Sequence, residues 1–219
     1  MHEAIDIYCE RIDASFWSEP INAITNGAFL VAALLLILRL QHSRDRAVWW
    51  LTGLIAAIGV GSFLFHTYAT GWAAAADVFP ILLFMLSAVA IGLRRRFELP
   101  WQAAALGTIA FLLSGILLSV TQLAIIIPQG SVTYVPGLVM LILFAVALWR
   151  RGDPFAKYFL IAAPVFFVSL TLRSVDLSVC EALPLGTHFG WHLLNAVTLY
   201  LVVLGLRRMP APTANQPSA

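Results

Sequence analysis

The sequence predicts an all-α integral membrane protein, a bundle of seven transmembrane helices with its N-terminus outside and its C-terminus cytoplasmic. Hydrophobic residues fill 61% of the 219 positions and charged residues only 11%, a balance that excludes an ordinary soluble domain. The apolar stretches are long enough to cross a bilayer and lack the alternation of barrel strands. In hydrocarbon the helix then satisfies the backbone internally. The basic residues gather in short clusters between these stretches, as membrane topology places them, and form no patch for nucleic acid.

Residues 1–19 read as an acidic, aromatic lead-in carrying Asp6, Tyr8, Cys9, Glu10, Asp13, Trp17 and Glu19. No basic segment precedes a short apolar core there, so no cleavable signal is expected. Pro20 suits the first turn of span one, where its missing N–H costs nothing; the span runs to about Leu40. Span two covers about Val48 to Tyr68. A linker from Ala69 to Ala76 leads to Asp77, which starts span three and is placed to cap it. Span four covers about Trp101 to Gln122, and a Pro/Gly loop around Ile127–Gly130 follows. Span five covers about Val132 to Trp149, span six Tyr158 to Val175, and span seven Thr187 to Leu206. Residues 1–208 are thus one membrane domain, and 209–219, rich in Pro, Ala and Ser, read as a disordered tail.

Arginine clusters follow spans one, three, five and seven, while the opposite loops carry Glu3, Asp6, Glu10, Asp13, Glu19, Asp77 and Glu181. The positive-inside rule sets the orientation from that alternation, and the expected location is a cell (inner) membrane. Cys9 and Cys180 fall on the outer side, where a disulfide is permitted; two unpaired thiols are the alternative.

The same topology sorts the intramembrane polar residues by depth. Ser62 and His66 lie one turn apart in span two, Asp77 opens span three, and His188 and His192 share a face of span seven. All five fall in the outer half of the membrane. Polar groups there need partners, and three neutral imidazoles with one open position make a catalytic zinc site. Asp77 is then a candidate acid/base and Ser62 a donor to a developing oxyanion, parts that suit hydrolysis of a lipid amide or ester. The plainer alternatives are a helix cap for Asp77 and a packing residue for Ser62. Asn195 reads either as a partner that orients a histidine or as glue between helices, and Asn22 and Asn26 invite the same two readings. Arg173 and Asp176, three residues apart, read as a structural bridge, with Arg173 orienting an acidic residue or a lipid head group as the alternative.

Gly61-Ser62-Phe63-Leu64-Phe65-His66, Asp77-Val78-Phe79-Pro80 and His188-Phe189-Gly190-Trp191-His192 together resemble the alkaline ceramidases, part of a wider superfamily of seven-span hydrolases that includes the adiponectin receptors. The likeness extends to the lead-in through Tyr8-Cys9-Glu10, Glu19-x-x-Asn22 and Thr25-Asn26, and so to nearly the whole chain. It implies zinc on His66, His188 and His192, an acid/base role for Asp77, transition-state stabilisation by Ser62, and a ceramide-like lipid substrate drawn from the bilayer. It also implies calcium in the lead-in, with Glu10 and Glu19 at side-chain positions and Tyr8 and Ile12 at carbonyl positions. The first family aspartate falls at Ile7, with Asp6 its neighbour. Cys9 and Cys180 resemble the family's disulfide pair.

Three rival readings use the same residues. A retinal photoreceptor needs a lysine in the last span, and the one lysine, Lys157, lies in an inner loop. A haem carrier with two axial histidines leaves Asp77 and the third histidine unexplained. A seven-span receptor that keeps zinc without turnover is the strongest alternative.

Overall fold

The structure, a computed structural model, describes residues 5–128 and 130–208. The expected disordered tail, 209–219, lies outside the described residues. Helix α1 (Pro20–Thr25) runs on into α2 (Gly27–Leu40), and α3 (Arg46–Tyr68), α4 (Gly71–Arg96) and α5 (Trp101–Ser119) follow. A single turn, α6 (Leu123–Ile126), and a 3-10 turn at Ser131–Tyr134 lead into α7 (Val135–Arg150), α8 (Ala156–Val175) and α9 (His188–Leu206). No strand occurs among the described residues. With α1 and α2 counted as one, seven helical spans are long and apolar enough to cross a membrane.

Span one is interrupted for a single residue at Asn26. The Thr25 hydroxyl donates to the Ile21 carbonyl at 2.8 Å, and the Asn26 amide donates to the Asn22 carbonyl at 2.8 Å. Side chains that bond to their own turn compete with the helical ladder and bend it.

Asp77 does not cap its helix. α4 already begins at Gly71, six residues earlier, because the alanine run Ala73–Ala76 favours helix and Ala73 is buried within the bundle. The expected linker is therefore helical, and Asp77 sits in the second turn. Pro80 then lies inside α4 and cannot donate to the Ala76 carbonyl. At that level Gly61 of α3 meets the α4 backbone: a Cβ on Gly61 would collide with the Ala76 carbonyl and lie 3.1 Å from the Asp77 nitrogen. The two helices can pack this closely only without a side chain there.

α9 is the central helix. It packs against α1, α2, α3, α4 and α8, and 67% of its apolar window is buried, against 11% for α5 at the periphery. Side chains such as Leu30, Leu34, Leu38, Ile109, Leu113 and Ile116 point outward, as a hydrocarbon solvent requires. At the arginine-rich end, Arg95 forms two bonds of 2.7 and 2.8 Å to Asp45 and donates to the Leu206 carbonyl at 3.0 Å. Arg96 donates to the Gly205 carbonyl at 2.9 Å. These contacts satisfy the last carbonyls of α9 and place cations at the negative end of its dipole. Burial alone would push the Asp45 carboxyl up, but the Arg95 guanidinium and two backbone N–H groups hold it below the usual carboxylate range.

At the opposite end the lead-in folds over the bundle. Cys9 and Cys180 form a disulfide with Cα atoms 5.3 Å apart, so neither thiol is free.

Candidate metal centre

Three histidines from two helices converge beneath the lead-in. His66 ends the last full turns of α3, and His188 and His192 occupy the first turns of α9; all three are buried. Their ring centroids are 4.6 to 5.2 Å apart, and one ligand atom from each lies within 4.8 Å of the others.

Hydrogen bonds fix which nitrogen of His66 and of His192 faces away from the cluster. His66 Nδ1 is 2.6 Å from Glu19 Oε2; a carboxylate only accepts, so Nδ1 donates to it and Nε2 is the nitrogen left for another partner. His192 Nδ1 is 2.9 Å from the Thr25 hydroxyl. That hydroxyl spends its one proton on backbone carbonyls of α1, so it accepts from Nδ1 and again leaves Nε2 bare. His66 Nε2, His192 Nε2 and His188 Nδ1 are buried without a protein hydrogen-bond partner. Three buried imidazole nitrogens without a protein partner, on rings that bring one ligand atom each within 4.8 Å of the others, are a costly arrangement unless a cation joins them. The donor set therefore fits a metal ion, with the histidines oriented from behind in the way metal ligands commonly are.

His188 is set from two sides. Asp176, fully buried, accepts from the backbone N–H groups of Thr187 and His188 at 2.6 and 2.9 Å through Oδ1, and from Cys9 at 2.9 Å through Oδ2. It thus caps the N-terminus of α9 and ties it to the lead-in. The Tyr8 ring stacks on His188 with centroids 3.6 Å apart and planes at 19°, while its hydroxyl accepts from Arg173 at 2.7 Å. Burial pushes the Tyr8 phenol above its usual value despite the nearby Arg173 cation, so it stays neutral.

Asp77 stands beside this cluster. Ser62 of α3 lies beside its carboxyl, at the level where Gly61 lets the two helices approach. Its Oδ1 is buried with no partner, and both His66 and Arg173 lie within electrostatic reach. A carboxylate held this way can take up a proton and return it.

Several expectations change. Asp176 spends both oxygens on backbone N–H groups, so the simple bridge to Arg173 is replaced by a helix cap. Thr25, not Asn195, orients His192, and Asn195 lines an apolar cavity instead. Asn22 donates to Glu19 at 3.1 Å and Asn26 back to α1, so these asparagines serve the lead-in and the helix bend.

The calcium expectation finds no support in this geometry. Glu10 accepts from the N–H groups of Ile21 and Asn22 at 2.7 and 2.8 Å, capping α1. Glu19 is paired with Arg11 at 2.5 Å and with His66. Burial works against an ionised Glu19, yet His66, Arg11 and Asn22 hold its carboxyl below the usual range. Ile12 is exposed and Asp6 lies at the surface. The oxygens meant for a hard cation are already taken by protein donors.

Sequence reasoning passed over Arg11, Thr25 and the Tyr8 side chain. The Glu19-x-x-Asn22 and Thr25-Asn26 patterns held part of that signal, but nothing in them says which ring nitrogen they face.

A search of the curated proteins finds no match. The Ceramidase family profile matches residues 7–218, a span that takes in the lead-in from residue 7 on, every described helix, and His66, His188 and His192. On that match, the chain belongs to the ceramidase family.

Proposed function

We propose that this protein is a zinc-dependent intramembrane amidase that cleaves ceramide or a related lipid amide into a fatty acid and a sphingoid-type amine. The observation that carries the reading is the buried cluster of His66, His188 and His192, with one ligand nitrogen from each within 4.8 Å of the others and one nitrogen of every ring lacking a protein partner. These three histidines would hold the zinc ion, which would supply the Lewis acidity for activating a water and polarising the amide carbonyl. The chain's own groups do the rest. Asp77 accepts the proton of the attacking water at its free oxygen and passes it to the leaving amine nitrogen. Ser62, beside Asp77, is the hydroxyl assigned to donate to the developing oxyanion. Glu19 and Thr25 hold two of the rings by their outer nitrogens.

The substrate reading rests on an apolar cavity among α4, α7, α8 and α9. Trp191, Asn195, Leu199, Val202 and Leu206 line it along one face of α9, with Trp191 adjoining His192 in the chain. Fifteen residues of helix span about 22 Å, a large part of the ~30 Å hydrocarbon core. The cavity's length and apolar lining suit one fatty acyl chain with its amide end toward the histidines, the helices parting to admit it.

The lead-in and the metal centre sit at the end of the bundle away from the arginine clusters, so we assign them to the outer face of a cell membrane by the positive-inside rule. The test joins elemental analysis of purified protein to release of fatty acid from a panel of ceramides and related lipid amides. Zinc with turnover is expected. Protein that binds no zinc refutes the metal-centre reading, and zinc without turnover of any amide leaves the receptor-like alternative.

A further inference from the structure

Arg11 is almost fully buried, 5% exposed, in a segment that sequence patterning marks only as acidic. Burying a guanidinium is costly unless each face of it is paired. Here Nε donates to Glu19 Oε1 at 2.5 Å, one terminal nitrogen to the Asp13 carbonyl at 3.0 Å, and the other to the His66 carbonyl at 3.0 Å. Glu19 in turn uses Oε2 for His66 Nδ1 at 2.6 Å and for the Asn22 amide at 3.1 Å.

Two of these contacts end on the same residue. Arg11 grips His66 directly through its main-chain carbonyl and indirectly through Glu19 at the ring. The carbonyl belongs to the last turn of α3, where helical carbonyls lack partners and a cation is favoured. A planar fork with fixed donor directions can serve both ends at once; a point charge on a flexible stem cannot. The contacts join the lead-in to the metal centre through one side chain.

We propose that Arg11 is a positioning residue for the metal centre, a resident cation that clamps His66 at carbonyl and ring so that Nε2 faces His188 and His192. Arg11 touches neither substrate nor metal and acts through Glu19 and the α3 terminus. The proposal rests on the reading that the three histidines hold a metal.

The test measures zinc affinity by chelator competition in purified full-length protein, together with the ligand-field spectrum of the cobalt-loaded form. Arg11→Ala is expected to weaken zinc binding about 10- to 100-fold, the usual effect of removing a group behind a metal ligand, and to alter the cobalt spectrum. Guanidinium ion added in solution is expected to restore part of the loss, where sodium does not. Arg11→Lys keeps the charge and guards against a variant that fails to fold; it is expected to bind zinc more weakly than wild type, because it cannot span Glu19 and the His66 carbonyl together. Asp45→Asn, at the far end of the bundle, serves as a stability control and is expected to leave zinc affinity unchanged. Wild-type protein that takes up no zinc overturns the metal-centre reading itself. Wild-type binding with equal affinity in Arg11→Ala, or in Arg11→Lys, overturns the clamp alone.

Discussion

Replacing Asp77 by Asn separates catalysis from metal binding more cleanly than any other change. The amide has the shape of the carboxylate and can still bond the Ser62 hydroxyl, but it cannot take up a proton. Asp77 is not among the three residues whose ligand atoms converge, so zinc content should remain. It lies in the second turn of α4 and caps nothing, and its Oδ1 is buried without a partner. The substitution is isosteric and breaks no helix cap, so the variant should melt near the wild-type temperature. General acid–base catalysis contributes about 10²- to 10⁴-fold. At about 1.4 kcal/mol per decade, this corresponds to roughly 3 to 5 kcal/mol of barrier. The assay is fatty-acid release per zinc-loaded molecule, with elemental analysis and thermal unfolding on the same preparation. Full turnover with zinc retained would assign the proton transfer to another group. Loss of zinc in step with activity would instead make Asp77 a ligand.

Further outcomes follow from the same structure. His192→Ala removes one of three ligand nitrogens and should lower bound zinc in elemental analysis, while unchanged stoichiometry would remove His192 from the set. Phe144 lines the apolar cavity and packs edge-on to Phe159 with centroids 5.4 Å apart. Phe144→Ala should shift preference toward longer acyl chains in competition between ceramides, and an unaltered chain-length profile would place the acyl group elsewhere. Asp45 has a folded pKa below its unfolded value of about 3.9. Its pair with Arg95 thus contributes stability that is present above that pH and fades as pH falls through the folded value. Asp45→Asn should flatten the acid limb of melting temperature against pH, and an identical limb in both proteins would refute the assignment.

Much of the fold was legible in the chain because hydrocarbon is a demanding solvent. It requires long apolar helices, so spans from Pro20 to Leu206 can be counted from composition, and polar residues inside them stand out. Ser62, His66, Asp77, His188 and His192 were singled out on that ground, and the structure brings the three histidines together and Ser62 onto Asp77. The Cys9–Cys180 pairing, implied by the family likeness, is also present. The lead-in is less legible because its rules are those of water. An acidic segment there is compatible with calcium, with solvent, or with a buried arginine, and spacing does not choose among them.

The sequence by itself thus determined the number of spans, the order of the helices and which polar residues share a depth, since each of these follows from a local energy of transfer into lipid. Only the tertiary structure decided which ring nitrogens turn inward, that Thr25 rather than Asn195 stands behind His192, and that Arg11 occupies the heart of the acidic lead-in. Those choices depend on donors and acceptors up to 167 residues apart meeting at hydrogen-bond distance. Such meetings are set by packing, as where Gly61 lets α3 touch α4, and no periodicity along the chain records them.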